Sequence, residues 1–170
     1  MLSRLNESVK RPFFIGLNAP QGAGKTTLTK NLCDRAKEQG LKAVSLSIDD
    51  FYLTRAEQIA LAQRYLKNPY LQQRGYPGTH DVALGESTLL ALQAGESIRL
   101  PAYDKSAFSG QGDRKPQSDW LSVETRLDLV FLEGWMLGFQ SNPEVVDDPE
   151  MAVIDSFLPV YASWIRLLDA

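Results

Sequence analysis

The stretch Ala19-Pro20-Gln21-Gly22-Ala23-Gly24-Lys25-Thr26-Thr27 restricts this chain to few folds. It follows an apolar run, Phe13-Phe14-Ile15-Gly16-Leu17, and precedes a helix-like pattern starting near Thr26. Strand, glycine-rich loop and helix, in that order, are what a phosphate-binding P-loop needs. Gly22 and Gly24 lack a Cβ, so the backbone can take positive φ and approach an anion closely. The N–H groups from Gln21 through Ala23 to Thr27 can then converge on phosphate oxygens. Lys25 is placed to reach the β- and γ-phosphates of ATP, and the Thr26 hydroxyl to sit on Mg²⁺. One position departs from the usual pattern. Ala19 stands where a glycine opens the motif, which a negative φ permits.

The rest of the chain reads as an alternation of strands and helices. Residues 13–18 form a first buried strand. Residues 26–39 form a helix that Gly40 ends, and 42–48 form a second strand. These three make one βαβ unit with a right-handed crossover. A helix over 55–66 is closed by Asn68-Pro69, and 72–79 is a loop punctuated by Gly75, Pro77 and Gly78. Helix 85–94 ends at Gly95, and 97–100 is a short strand stopped by Pro101. The polar stretch 103–119 reads as a long loop, a length that usually accompanies function or mobility. Residues 127–132 form a third buried strand, and 156–168 a helix kinked at Pro159.

At 170 residues the chain is expected to form one domain, residues 1–170, large enough for a real core. A net charge of -3 carries no broad basic surface of the kind that binds nucleic acid. No apolar run reaches membrane-spanning length, and residues 1–11 are short and polar, without the apolar stretch of a secretory signal. The single Cys33 cannot form an internal disulfide and reads as a buried apolar residue, in keeping with a reducing, cytoplasmic setting.

Carboxylates close the second and third strands. In open α/β sheets ligands sit at the carboxyl ends of strands, so Asp49, Asp50 and Glu133 fall on the P-loop edge. Asp49 can take the proton of an attacking hydroxyl. Asp50 suits either a helix cap or a place beside the substrate. Glu133, after four apolar residues, has the outline of a Walker B acid and would share Mg²⁺ with Thr26. Arg74, Lys105 and Arg114 lie in or beside irregular segments, where Arg suits a carboxylate or phosphate. His80-Asp81 follows the Gly/Pro loop, and a lone His suits a hydrogen-bonded structural role as well as a substrate contact. With no second His and a single Cys, a zinc site is not expected. Trp120, Trp135 and Trp164 read as packing residues.

Six motifs then occur in order. They are residues 14–27 around the P-loop, Ser47-Ile48-Asp49-Asp50-Phe51-Tyr52-Leu53-Thr54, Arg74-Gly75-Tyr76-Pro77-Gly78-Thr79-His80-Asp81, Pro101-Ala102-Tyr103-Asp104-Lys105-Ser106, Ser109-Gly110-Gln111-Gly112-Asp113-Arg114, and residues 131–139 around Glu133-Gly134-Trp135. The set resembles plant-type D-glycerate 3-kinases and their fungal and bacterial relatives. These lie in the P-loop kinase branch that contains uridine kinase, phosphoribulokinase and pantothenate kinase. The resemblance implies an α/β fold, a doubly wound, mostly parallel sheet flanked by helices. It implies transfer of the γ-phosphoryl of ATP to a hydroxyl of a small metabolite, D-glycerate above all. A nucleoside, pantothenate or another sugar acid is the alternative acceptor, and a non-catalytic ATP-binding module is the alternative class. Matched by motif, Lys25 and Thr26 are the phosphate and Mg²⁺ residues, Asp49 the catalytic acid, and Glu133 the Walker B acid. Tyr52, His80 and Asp81 match positions lining the acceptor pocket. The resemblance also implies a further strand, an Arg-bearing lid and adenine contacts after the helix of 164–169. These are expected to be absent from this chain.

Overall fold

A computed structural model describes residues 12–124 and 126–168. The polar opening segment 1–11 and the end of the last expected helix at 169 lie outside the described residues. The elements run β1 (Phe13–Asn18), α1 (Lys25–Glu38), β2 (Ala43–Ser47), α2 (Arg55–Arg64), α3 (Val82–Ala94), β3 (Ile98–Leu100), β4 (Tyr103–Asp104), β5 (Asp113–Arg114), β6 (Leu121–Val123), β7 (Leu129–Gly134) and α4 (Pro149–Leu168). A 3₁₀ turn, Ile48–Phe51, follows β2 directly.

The main sheet is parallel, in the order β1–β7–β2. The first two strands therefore do not pair with each other; β7 lies between them. Its residues explain why. Leu129 to Gly134 are all buried, as a strand covered on both faces requires. Leu129 and Phe131 face α1, where they join Ala36 and the half-buried Ile15, Leu17, Leu32 and Cys33. Val130 and Leu132 face the opposite core, with Leu46, Ile48, Phe51, Leu89, Tyr161 and Trp164. Helices thus cover both faces: α1 lies over β2 and β7, while α4 lies against β1 and α3. Among the described residues no helix is long and apolar enough to cross a membrane.

Several boundaries depart from the sequence reading for local reasons. Helix α3 begins at Val82, a turn before the expected residue 85, because Asp81 caps it by accepting the Leu84 N–H at 3.0 Å. Helix α4 begins at Pro149 rather than 156. Asp148 accepts from the Glu150 N–H at 2.9 Å, and Pro149 occupies the first turn, where a missing N–H is harmless. The stretch 103–119 is not one loop. It opens with β4 and returns as β5, an antiparallel pair with Tyr103 opposite Arg114. Strand β6, not expected from the pattern, pairs antiparallel with β3. Cys33 is half-buried rather than buried, and burial raises its thiol pKa.

Helix α3 meets α4 through Gly85, whose absent side chain makes room for the fully buried Trp164. A Cβ there would lie 2.1 Å from the Trp164 ring. Gly85→Ala should therefore cost about 1–3 kcal/mol by overpacking. A lowered urea midpoint at unchanged denaturant slope is the expected result, and an unshifted midpoint would show that this contact can relax freely.

Candidate functional site

The end of β7 sets the site. Glu133 pairs in register with Leu17 on one side and Ser47 on the other, so three strand ends lie level. The P-loop leaves β1 at Ala19, whose N–H donates to the Gly134 carbonyl at 3.2 Å. Gly22 and Gly24 adopt φ of 78° and 79°, and Gly24 is the N-cap of α1. Among the described residues the non-glycine residues with positive φ are Phe108 and Ser109, so Ala19 fits without a left-handed turn. The Thr26 hydroxyl donates to Glu133 Oε1 at 2.7 Å. Glu133 is only 4 % exposed. A buried carboxylate paired with a hydroxyl at the mouth of a P-loop is a donor set suited to a hard, oxygen-seeking cation such as Mg²⁺. Lys25 Nζ folds back onto the carbonyls of Ala19 and Pro20, at 2.8 and 2.9 Å.

These groups line a cavity of about 600 Å³. Of the residues singled out from sequence, Gln21, Gly22, Gly24, Lys25, Thr26, Thr27, Asp49, Tyr52, Arg74, Lys105 and Glu133 line it. Ala23, Asp50, His80, Asp81 and Arg114 do not. Sequence reasoning passed over Gln73, Gly75, Gly110 and Gly134 as lining residues, and took Trp135 only as packing. Trp135 is half-buried, and its Nε1 donates to the Gly75 carbonyl at 3.0 Å, tying the strand end to the Gly/Pro loop. Its place directly after Glu133-Gly134 was the available signal.

Asp49 stands across from the P-loop. Lys105 Nζ lies 2.5 Å from its Oδ2. Burial, and then the charge of Asp49, hold the Tyr52 phenol well above its ordinary pKa, so Tyr52 stays a neutral hydrogen-bond donor. Asp50 is turned inward. It accepts the Ser47 N–H at 2.9 Å, closing a capping box, and burial pushes its carboxyl up to about 6 against the pull of that bond. Its cap role is thus visible.

His80, Asp81 and Arg114 form the layer behind the cavity. Tyr52 and His80 make a β-bridge, and their rings stack with centroids 4.4 Å apart. Arg114 Nη2 donates to the Tyr52 carbonyl at 2.9 Å and to Asp81 Oδ2 at 3.1 Å. His80 Nδ1 lies 3.0 Å from the Tyr161 hydroxyl, which also accepts from the Gly78 N–H at 3.0 Å. The phenol proton is therefore best used toward Nδ1, which leaves the neutral ring's proton on Nε2. Burial drives His80 down to about 3, opposed by the charge of Asp49.

Residues 105–112 form a strap over the cavity. Arg74 holds it, donating to the carbonyls of Gly110 at 2.8 Å, Lys105 at 3.3 Å and Gln111, with its guanidinium 5.6 Å from the Tyr103 ring centroid. Gly112, at φ 79°, is needed for this closeness: a Cβ would fall 2.5 Å from Tyr103 and 2.8 Å from Arg74.

Residues 14–163 match the model of the phosphoribulokinase / uridine kinase family. This chain belongs to that family. It is 42 % identical over 167 residues to the chloroplastic D-glycerate 3-kinase of Arabidopsis thaliana, covering 94 % of this chain and 37 % of that protein. It is 44 % identical over 133 residues to an uncharacterized kinase of Schizosaccharomyces pombe, covering 76 % of this chain and 48 % of that one. A solved structure of D-glycerate 3-kinase from Cryptococcus neoformans var. grubii superposes with a TM-score of 0.80 at 30 % identity, over 99 % of this chain and 66 % of that one. The chain thus spans less than half the length of these two curated relatives. The fold is that of the P-loop kinases, a parallel sheet between helices.

The two perturbed groups behind the cavity predict opposite pH responses. The unfolded chain protonates His80 near 6.5, and the folded chain only near 3, so stability falls as pH drops through that window. Asp50 takes its proton near 6 when folded and near 3.8 when unfolded, so its contribution rises as pH drops from about 6 to 3.8. Comparing wild type with His80→Gln isolates the first. Between pH 7 and pH 5 the stability of wild type relative to the variant should fall by about 2 kcal/mol. Parallel urea midpoints across that range would show that His80 titrates normally.

Proposed function

We propose that this chain carries the phosphoryl-transfer centre of an ATP-dependent kinase acting on a hydroxyl of a small acid, D-glycerate giving 3-phosphoglycerate. One observation carries the reading: Asp49 and the P-loop residues Lys25 and Thr26 line a single cavity, with a cation, Lys105, already seated on Asp49. The likeness to two D-glycerate 3-kinases supports the choice of acceptor.

The residues divide the work as phosphoryl transfer requires, by positioning and charge. The amides between Gln21 and Thr27 cradle the phosphates. Lys25 leaves the Ala19 and Pro20 carbonyls for phosphate oxygens. Thr26 and Glu133 would hold Mg²⁺, which when bound neutralises charge on the phosphates. Asp49 orients the acceptor hydroxyl and receives its proton as the oxygen attacks. Lys105 exchanges Asp49 for the acceptor's carboxylate, which frees Oδ2 for the hydroxyl and reads the acid in the same movement. Tyr52, held neutral by burial and by the charge of Asp49, offers a hydrogen-bond donor on the cavity wall. Arg114, Asp81, Asp50 and His80 hold this wall in place. The free thiol of Cys33 favours a reducing, cytoplasmic setting.

A kinase assay over hydroxy acids, nucleosides and pantothenate tests the reading, with D-glycerate expected to give the highest kcat/KM. Lys25→Ala should cut turnover by roughly two or more powers of ten. Asp49→Asn should leave ATP binding nearly intact and lose roughly 10²–10⁴-fold in kcat. Lys105→Gln should raise KM for the acid more than it lowers kcat. Wild-type turnover in Asp49→Asn would remove the aspartate from the mechanism. Tight ATP binding with no acceptor-stimulated ADP release would mark a nucleotide-binding module instead.

A further inference from the structure

A second cavity, of about 480 Å³, lies on the other side of the strap, between it and helix α2. Its chemistry differs from that of the first. The P-loop cavity mixes Lys25, Arg74 and Lys105 with Asp49 and Glu133. The second is lined by two cations, Arg55 and Arg74, and by five glutamines, and no carboxylate lines it. Asp113, next to the lining residue Gly112, is turned to the backbone and accepts from the N–H groups of Arg55 at 2.9 Å and Arg114 at 2.8 Å. Neither cation is neutralised by an acid among the described residues.

The two arginines do different things. Arg74 forms the partition between the cavities, with its guanidinium committed to three strap carbonyls. Arg55 is pre-set from two sides. Its Nε donates to Gln111 Oε1 at 3.2 Å, and its guanidinium lies 4.5 Å from the ring centroid of the exposed Phe108. A planar fork held at one edge and on one face keeps its terminal nitrogens for a bidentate anion. Gln72 spends its amide N–H groups on the Tyr65 and Asn68 carbonyls and Gln58 gives one to the Leu71 carbonyl, so Gln63 and Gln73 are the amides best placed to meet the remaining oxygens of a hydroxylated ligand without repelling its charge.

We propose that this cavity is a separate binding site for a small hydroxylated anion, a carboxylate or phosphate monoester of a few carbons, anchored on Arg55. Because Ser109, Gly110, Gln111 and Gly112 of the strap line it, an occupant also holds the strap down, and with it the Lys105 contact to Asp49. By linkage, the site favours the closed strap, and the closed strap favours the site. The proposal does not depend on phosphoryl transfer, since binding is read without turnover.

The test is hydrogen exchange on the whole chain with Mg²⁺ and a non-hydrolysable ATP analogue present, so that the P-loop is filled. The probes are D-lactate, carrying only a carboxylate, and glycerol 3-phosphate, carrying only a phosphate. The readout is confined to residues 55–66, which line only the second of the two cavities. Saturable slowing of exchange there is expected with one probe or both, and which one responds identifies the anion. Arg55→Gln should weaken that binding at least tenfold. Gln63→Glu, a surface change that adds a negative charge to the lining without touching the core, should do the same. No slowing with either probe overturns the proposal, and so does unchanged binding in either variant.

Discussion

The insertion of β7 between β1 and β2 is the constraint on which the site rests. A strand buried on both faces can supply only its ends to chemistry, and β7 ends in Glu133. Parallel pairing on both sides sets three strand ends level, so the P-loop, Glu133 and the Asp49 turn share one edge without any long loop to position them. The 2.7 Å bond from Thr26 then joins α1 to β7 at that edge. A carboxylate as buried as Glu133 is costly to leave unpaired. The hydroxyl partly satisfies it and, by the same contact, presents two oxygens where a cation would sit.

The sequence carried the three strands and what closes them, though not their order, because those signals are local. Glycines flanking a lysine and carboxylates closing apolar runs act within a few residues. What the pattern could not show was partnership at a distance. Arg114, Asp81 and Tyr52 are 33 and 62 residues apart in their contacts, and nothing in their spacing says that the arginine is spent on a carbonyl and a carboxylate. For the same reason His80 read equally well as a pocket residue. Its buried ring, stacked on Tyr52 and bonded to Tyr161 of α4, depends on a helix 81 residues away. The short strands β4, β5 and β6 were missed because two or three residues show no period, and none of them has the Gly95 and Pro101 boundaries that marked out β3.

The strap gives the glycines of residues 105–112 their meaning. A composition rich in Gly and Ser looks like mobility, yet the backbone is tied down through three carbonyls to Arg74 and through Gln111 to Arg55. Gly112 is small because Tyr103 and Arg74 occupy the space its side chain would need. Phe108 and Ser109 take left-handed backbone angles at the tip, a conformation that costs non-glycine residues roughly 1 kcal/mol or more each. The strap's position is therefore enforced by its clamps rather than by its own preferences.

That enforcement decides how charge is read in the first cavity. All three of its cations are engaged internally: Lys25 with loop carbonyls, Arg74 with the strap and Lys105 with Asp49. They are not equally able to leave. Each lysine holds a point charge on a flexible stem and can exchange one oxygen for another with little rearrangement. Arg74 can turn to a ligand only by releasing three carbonyls and unstacking from Tyr103. Anionic groups entering this cavity would thus meet the two lysines more readily than the arginine. In the proposed reaction Lys25 would receive the phosphates, and Lys105 a charge close to Asp49. Arg74 holds the strap that carries Lys105, and so keeps that lysine beside Asp49 at the cavity wall.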